Sequence, residues 1–304
     1  MDLRKIETLL EQEPAFRLKQ VKKAIFGDLI EDWMKITTLP EDLRQKLNKS
    51  CPIIELKTEK ILTAKDGQTI KALFRLKDNL KIESVLMKHK DRQTLCLSSQ
   101  VGCAMNCQFC ATGKIGFQRN LTASEIIEQV LFFARLLKKS KEKISNIVFM
   151  GMGEPFLNYL NVLEAIKILS NNENGFNLGA RHFSISTCGI IEGIKKLAEE
   201  KLQINLAISL HASDNQLREK LMPITKKYPI EKILTAVDEY VKITKRRVMF
   251  EYLMINNIND SEEQAEELSI LLKRKLSFIN LISFNPVKDI DFKPSPSWKI
   301  KKFK

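Results

Sequence analysis

The chain has 304 residues, of which 44% are hydrophobic and 29% charged, the composition of a folded globular protein. Its 50 Lys and Arg against 37 Asp and Glu give a formal net charge of +13, which favours a polyanionic partner, with nucleic acid ahead of a membrane surface. A Lys-rich proteome, in which the charge serves only solubility, is the alternative. No apolar run is long enough to span a membrane and no signal core follows Met1, so we expect a cytoplasmic protein without a membrane partner.

The first ninety residues contain two kinds of pattern. Helical spacing places four apolar residues on one predicted face, namely Phe16, Val21, Ile25 and Phe26. Pro40 marks the start of a further helix. The period then changes to two, with a hairpin signal at Asp66-Gly67. We expect a helical domain over residues 1–52 and a β-rich connecting segment over residues 53–92.

Short apolar runs alternate with amphipathic stretches in the rest of the chain, which is typical of βα units around a parallel sheet. The six predicted strands span residues 95–99, 147–150, 183–187, 206–210, 248–253 and 279–284. The predicted helices span residues 123–137, 162–169, 190–200, 230–243 and 261–273. This series predicts an α/β fold with a partial (β/α) barrel over residues 93–304, and a doubly wound open sheet is the alternative. In both, ligands gather at the carboxyl ends of the strands.

Three of the six cysteines, Cys103, Cys107 and Cys110, follow the first predicted barrel strand in a C-x3-C-x2-C pattern. Cytosolic thiols stay reduced, so a metal or cluster explains this spacing better than disulfides. Structural zinc requires four protein ligands, whereas three thiolates leave one iron of a 4Fe–4S cluster without a protein ligand. An open iron can bind a small molecule. We therefore predict a 4Fe–4S cluster on these three cysteines, with zinc or a merely structural loop as the alternatives.

Sequence motifs continue at the ends of the predicted strands. They are Cys96-Leu-Ser-Ser-Gln-Val-Gly-Cys103, Met150-Gly-Met-Gly-Glu-Pro155, Ser184-Ile-Ser-Thr187, Ser209-Leu-His211, Leu221-Met-Pro-Ile224 and Phe284-Asn-Pro286. Together they resemble the RlmN/Cfr family of radical-SAM RNA adenosine methyltransferases, and the resemblance covers nearly the whole chain. It implies a partial (β/α)6 radical-SAM barrel, preceded by a small RNA-binding-like helical domain and a short β segment.

The resemblance also implies that S-adenosylmethionine occupies the open iron site. Its expected contacts all lie at the ends of predicted strands and comprise Gly153, Glu154, Ser186, Ser209, Leu210, His211 and Asn285. Each residue type also fits an ordinary structural role: a glycine in a tight turn, a serine as a helix cap, or a structural histidine. As an ordered set at strand ends they favour a binding site.

Carbon 2 of adenine is electron-poor, so direct methyl transfer from an electrophilic sulfonium is not feasible, and the resemblance implies radical chemistry. In the family, one S-adenosylmethionine methylates a cysteine, and a second is cleaved to a radical that activates this methyl group for addition to adenine. A second cysteine then forms a disulfide as the product leaves, and a base removes the carbon 2 proton. Cys96 matches the second cysteine and Glu83 matches the base. A buried strand cysteine and a solvated strand glutamate are the alternatives.

The family carries its methyl group on a cysteine in an Asp-Ala-Ala-Cys-Gly-like motif, several dozen residues after the Asn-Pro turn. This sequence ends at Lys304, and Cys188 is its only cysteine after Cys110. Cys188 stands where the family usually has another small residue. We therefore expect a truncated chain that lacks the methyl-carrying cysteine.

The resemblance implies 2-methyladenosine formation in 23S rRNA and in tRNA, an electron donor such as flavodoxin or ferredoxin, and a monomer. Two other classes of function stay open. One is a radical-SAM enzyme with another substrate or with carbon 8 specificity. The other is an iron–sulfur RNA-binding protein without turnover.

Overall fold

The computed structural model describes residues 1–172 and 175–304. Contacts within the chain divide it into two units. Unit 1 comprises Met1–Val101, Arg119–Met152 and Asn158–Phe183, and unit 2 comprises Gly102–Gln118, Gly153–Leu157 and Ser184–Lys304. Short 3-10 turns lie at Trp33–Lys35, Pro155–Asn158, Ala180–His182 and Pro223–Lys226.

Unit 1 begins with three helices, α1 (Leu3–Leu9), α2 (Ala15–Lys22) and α3 (Glu41–Ser50), and a π turn at Lys23–Gly27 follows α2. Pro40 precedes α3, and two acidic residues in its first turn suit the positive end of the helix dipole. Val21, Ile25 and Phe26 are buried as predicted, but Phe16 is 52% exposed. The prediction for Phe16 was wrong because five helical residues separate it from Val21, a rotation of about 140° away from the buried face.

Five strands form the sheet of unit 1, in the order β1 (Lys57–Thr63), β2 (Thr69–Arg75), β3 (Lys81–His89), β4 (Arg92–Cys96) and β7 (Asn146–Phe149). The first three pairings are antiparallel, and β4 pairs with β7 in parallel. The predicted hairpin turn is present, with Gly67 at φ +69°. Strand β4 ends earlier than expected because Ser98 leaves the ladder and donates its hydroxyl to the Glu83 carbonyl oxygen at 2.6 Å.

Two short strands and two long helices complete unit 1. Strand β5 (Gln100–Val101) pairs with β6 (Arg119–Asn120), and the helices are α5 (Ala123–Lys138) and α6 (Tyr159–Ser170). Helix α5 begins with a capping box between Thr122 and Glu125. Its buried face includes Phe133, whose ring meets that of Phe74 on β2 edge to face.

Unit 2 contains four parallel strands in the order β8 (Phe183–Thr187), β9 (Asn205–Ser209), β10 (Val248–Met254) and β11 (Ser277–Ser283). Its helices are α4 (Ala111–Ile115), α7 (Ile191–Glu199), α8 (Asn215–Leu221), α9 (Ile230–Thr244), α10 (Glu262–Leu272) and α11 (Ser297–Phe303). Because the strands are parallel, their carboxyl ends lie at one edge of this sheet, where ligands bind in such folds.

All six predicted βα strands form, as β4, β7 and β8 to β11, within three residues of the expected bounds. The five predicted helices correspond to α5, α6, α7, α9 and α10. Helices α4, α8 and α11 were not predicted, since each has only five to seven residues and offers little periodicity. Within the described ranges, no helix has the length and apolar character needed to cross a membrane.

Candidate cofactor site

The loop between β5 and α4 in unit 2 carries the three clustered cysteines, Cys103, Cys107 and Cys110, all partly buried. The Cys103 N–H donates to the Gly116 carbonyl oxygen at 3.1 Å and closes the base of the loop. Gly102 makes this approach possible, because its φ is +73° and a Cβ there would lie 1.6 Å from the Gly116 oxygen. All six cysteines of the chain are free thiols in the structure.

Two of the three thiols, Cys103 and Cys107, have raised pKa values. Burial raises the pKa of Cys103 to about 11 and that of Cys107 to about 12, and the neighbouring Cys110 and Glu154 raise both further. The three thiols lie within eight residues of one loop, and thiolates are the usual ligands of iron–sulfur clusters. The donor set therefore fits a cluster in its chemistry. As the side chains stand, no group of three or more His, Cys, Asp or Glu within residues 1–172 and 175–304 is placed to hold a metal ion.

The cysteine loop is attached to the strand ends of unit 2 at two points. The Gln108 N–H donates to the Leu221 carbonyl oxygen at 2.9 Å, at the end of α8. The Phe109 ring packs edge-on against the His211 ring, with centroids 4.9 Å apart. The fold therefore brings the predicted cluster ligands beside the carboxyl end of β9.

Glu154 is 3% exposed and its carboxylate is fixed by backbone donors. Its Oε1 accepts from the Phe156 N–H at 3.1 Å, and its Oε2 accepts from the Cys188 N–H at 2.8 Å. Burial raises the pKa of Glu154. The preceding Gly153 has φ +104°, which favours glycine at this turn. Glu154 is thus an oriented acceptor directly beside the loop after β8.

The predicted residues on β8 and β9 also come together. The hydroxyl oxygens of Ser186 and Ser209 lie 3.4 Å apart. Leu210 is buried, and its N–H donates to the Glu251 carbonyl oxygen on β10 at 3.1 Å. Asn285 lies exposed in the segment directly after β11. The first three residues therefore occupy one edge of the sheet, and Asn285 lies beyond the last strand of the same sheet.

His211 is buried and neutral. Its Nδ1 accepts from the Leu253 N–H at 3.0 Å, which leaves the proton on Nε2 as a donor. Burial lowers the pKa of His211 to about 3, and the positive charge of Arg218 contributes. The backbone of His211 is left-handed, with φ +62°, and Asn259 supports it by donating Nδ2–H to the His211 carbonyl oxygen at 2.9 Å.

Sequence reasoning did not identify Arg218 or Asn259, which are both completely buried at this edge of the sheet. Neither residue lies in a motif that the sequence singled out. The signal that could have found Arg218 is its place one helical turn before the Leu-Met-Pro-Ile motif, where α8 approaches the strand ends.

In unit 1, Glu83 on β3 and Cys96 on β4 point to the same face of the sheet. Cys96 is paired with Val85, two residues from Glu83, and side chains two apart share a face. The Glu83 carboxylate is half-exposed and lies 3.1 Å from Lys71 Nζ. Burial raises the pKa of the Cys96 thiol to about 12. The structure thus brings the predicted base and the predicted second cysteine onto neighbouring strands.

Comparison with known proteins identifies the family. The radical SAM superfamily model matches residues 97–268. A protein from Dictyoglomus turgidum named "Probable dual-specificity RNA methyltransferase RlmN" is 47% identical over 292 residues, which cover 96% of this chain and 83% of that protein. The chain belongs to the radical SAM superfamily and to its RlmN family. The sequence resemblance to this family is thereby confirmed.

A second RlmN-family relative, from Syntrophomonas wolfei, carries the same printed name and is 44% identical over 314 residues, covering 100% of this chain and 87% of that protein. The crystal structure of a radical SAM methyltransferase from Sphaerobacter thermophilus matches with a TM-score of 0.96 and 42% identity, covering 100% of this chain and 89% of that one. This match confirms the predicted α/β fold with a parallel sheet of the radical-SAM type.

Proposed function

We propose that the chain is a radical-SAM RNA methyltransferase that forms 2-methyladenosine in 23S rRNA and in tRNA. The observation that carries this proposal is the cysteine loop, which Gln108 and Phe109 attach to the strand ends bearing the other predicted cofactor residues. Membership of the RlmN family supports the same chemistry, since the relatives from Dictyoglomus turgidum and Syntrophomonas wolfei are both named "Probable dual-specificity RNA methyltransferase RlmN".

Cys103, Cys107 and Cys110 would hold a 4Fe–4S cluster and leave one iron for the amino and carboxylate groups of S-adenosylmethionine. When bound, cluster and cofactor supply the one-electron cleavage that produces a reactive carbon radical. The loop favours this assembly because close backbone approach at Gly102 fixes its base. The thiols must lose their protons on cluster binding, so cluster binding releases protons.

The remaining unit 2 residues bind and orient S-adenosylmethionine in this proposal. Glu154 would accept from an N–H of the cofactor's amino group, beside the turn at Gly153. The Ser186 and Ser209 hydroxyls and the His211 Nε2–H suit hydroxyl and carboxylate groups. The backbone of Leu210 and the amide of Asn285 complete the set of polar contacts that the family resemblance implies.

Two residues of unit 1 act on the substrate in this proposal. Glu83 is a half-exposed carboxylate that takes up the proton lost from carbon 2 of the adenine ring. The Cys96 thiol would act as the second cysteine, which forms a disulfide with the methyl-carrying cysteine as the product leaves. The family resemblance implies that carrier cysteine, and the 304 residues of this sequence do not include its motif. Their common sheet face supports a shared role in this step.

The partners follow from the same reasoning. A net charge of +13 suits RNA phosphates. Residues 1–52 form the helical RNA-binding-like domain in this proposal, residues 53–92 the β connecting segment and residues 93–304 the barrel. A flavodoxin or ferredoxin supplies the electron, and the protein acts as a monomer.

Two measurements test the proposal. Protein loaded anaerobically with iron and sulfide should form 5′-deoxyadenosine from S-adenosylmethionine when reduced, and no cleavage under strong reductant would contradict an enzymatic role. Mass spectrometry of rRNA and tRNA from cells with and without the gene should then show 2-methyladenosine only when the gene is present. Appearance of 8-methyladenosine instead would correct the site of attack, and unchanged RNA would contradict the methyltransferase activity.

A further inference from the structure

Arg218 on α8 connects the carboxyl ends of two parallel strands in unit 2. Its side chain is completely buried, with 0% exposure. Nη2 donates to the Cys188 carbonyl oxygen at 2.6 Å, just after β8, and to the Ser209 carbonyl oxygen at 3.1 Å, at the end of β9. Nε donates to the Leu210 carbonyl oxygen at 3.1 Å. One guanidinium therefore fixes the backbone that carries the predicted cofactor residues.

The rest of the Arg218 guanidinium is used in the same way. Nη1 donates to the Thr225 hydroxyl at 3.0 Å and to the Tyr228 carbonyl oxygen at 3.3 Å. A guanidinium has five N–H donors, and these contacts match all five. All five acceptors are uncharged. Hydrogen bonding is thus complete, but the five acceptors do not neutralise the buried positive charge.

A buried cation normally lies near an anion, because an uncompensated charge is costly in a protein interior. Cys107 is a predicted cluster ligand. The helix that carries Arg218 also accepts the hydrogen bond from Gln108, the residue next to Cys107. The charge is therefore placed beside the cysteine loop.

We propose that Arg218 is a positioning residue that holds the strand ends around S-adenosylmethionine and supplies the buried positive charge that offsets the thiolate-bound cluster. This inference rests on the proposed function. Reduction adds an electron to the cluster, so a nearby buried cation favours the reduced state and raises the reduction potential. Two of the five hydrogen bonds serve the positioning role, because they fix the carbonyl groups of Ser209 and Leu210, directly before His211.

Two variants of Arg218 distinguish the charge role from the positioning role. Arg218→Met removes both the charge and the donors, whereas Arg218→Lys keeps the charge but cannot reach five acceptors. Lys220→Met is the matched control, because it removes an exposed cation from the same helix. The full-length protein is loaded with iron and sulfide under anaerobic conditions. The midpoint potential is measured by spectroscopic redox titration, and the dissociation constant of S-adenosylmethionine by equilibrium binding.

We expect a lower potential and at least tenfold weaker S-adenosylmethionine binding in Arg218→Met. In Arg218→Lys the potential should stay at the wild-type value while binding is still several-fold weaker, and Lys220→Met should change neither. An unchanged potential in the Met variant would overturn the charge role. Unchanged binding in the Lys variant would overturn the positioning role.

If Arg218→Met does not fold, Arg218→Lys alone tests both the charge role and the positioning role. A lowered potential would then contradict the charge role, and unchanged cofactor affinity would contradict positioning. The outcome for the wild type distinguishes this inference from the proposed function. A wild-type protein that takes up no cluster contradicts the proposed function together with the charge role. If the wild type takes up the cluster and Arg218→Met has the same midpoint potential and the same affinity for S-adenosylmethionine, only the inference about Arg218 is contradicted.

Discussion

In unit 2 the predicted cofactor residues Glu154 and His211 are buried and held by backbone hydrogen bonds, whereas in unit 1 the predicted base lies half-exposed on a sheet face. Glu154 accepts from two backbone N–H groups, and His211 accepts from a third. Glu83 has an ion pair with Lys71, and both side chains are more than 40% exposed. Such exposed pairs contribute little stability and are easily exchanged for another partner.

This difference in burial suits the two proposed tasks, which are cofactor binding in unit 2 and action on the RNA substrate in unit 1. A cofactor that undergoes the same reaction in every turnover benefits from ligands fixed in advance, because no reorganisation is then needed. A group that acts on a large RNA substrate must be reachable from solvent. The comparison therefore predicts that changes in unit 2 affect cofactor binding, and that changes at Glu83 affect the substrate step alone.

The largest effect is expected from Cys107→Ala. Two thiolates cannot replace three, so cluster content and 5′-deoxyadenosine formation should both fall by more than about 100-fold, since loss of a mere supporting contact at a metal site already costs 10 to 100-fold. Iron and sulfide analysis with absorption spectroscopy measures cluster content, and chromatography measures 5′-deoxyadenosine. Cys51→Ala is the matched control, because Cys51 is a buried thiol of unit 1. A Cys107→Ala protein with full cluster content would remove the basis of the comparison.

A smaller and more selective effect is expected from Glu83→Gln. The amide cannot accept the proton from carbon 2, so formation of 2-methyladenosine should fall by about 10² to 10⁴-fold, while 5′-deoxyadenosine formation persists. Both products are quantified in one reaction with RNA. Glu59→Gln on β1 serves as the control, because Glu59 pairs with Arg75 and Lys81 in the same sheet. Loss of both products in Glu83→Gln would place this residue in cofactor chemistry instead.

Glu154→Gln should weaken S-adenosylmethionine binding by about 10 to 100-fold, the value of a hydrogen bond to a charged group. A Gln side chain has one oxygen, so one of the N–H groups of Phe156 and Cys188 would face an amide donor. Equilibrium binding to the loaded protein measures the effect. Glu192→Gln, which changes a carboxylate on α7 that accepts from the Tyr228 hydroxyl, should bind normally. Equal losses in both variants would indicate general destabilisation of unit 2.

The sequence predicted much of the barrel because its elements are long and periodic. The strands β8 to β11 and the helices α5 and α9 follow apolar patterns that local rules interpret directly. The cysteine loop was identified by spacing alone, since three thiols within eight residues have few ordinary explanations.

The remaining features depend on tertiary contacts that have no local pattern. Arg218 looks like a surface residue of a short helix, and only the folded chain shows that it is buried and fully hydrogen-bonded. Phe16 is exposed because it lies about 140° around the helix from the buried Val21, although both side chains are apolar. The common face of Glu83 and Cys96 follows from the β3–β4 register, which the two separate motifs do not encode.

The smallest effect at neutral pH is expected from His211, and it appears only in acid. The pKa of His211 is about 3 in the folded chain and about 6.5 when unperturbed, so the unfolded state binds the extra proton. The stability that this difference provides is complete above about pH 6.5 and is lost as the pH falls towards 3, with a slope of up to about 1.4 kcal/mol per pH unit.

His211→Asn should reduce this slope, because an amide oxygen can still accept from the Leu253 N–H but does not titrate. Denaturant unfolding of both proteins at several values between pH 7.5 and pH 5 measures the difference. His89→Asn on β3 is the control, since His89 is exposed in unit 1 and should leave the profile unchanged. Parallel pH profiles for wild type and His211→Asn would mean that burial of this histidine does not limit acid stability, and that the fixed geometry attributed to the unit 2 site is less rigid at His211 than its hydrogen bonds indicate.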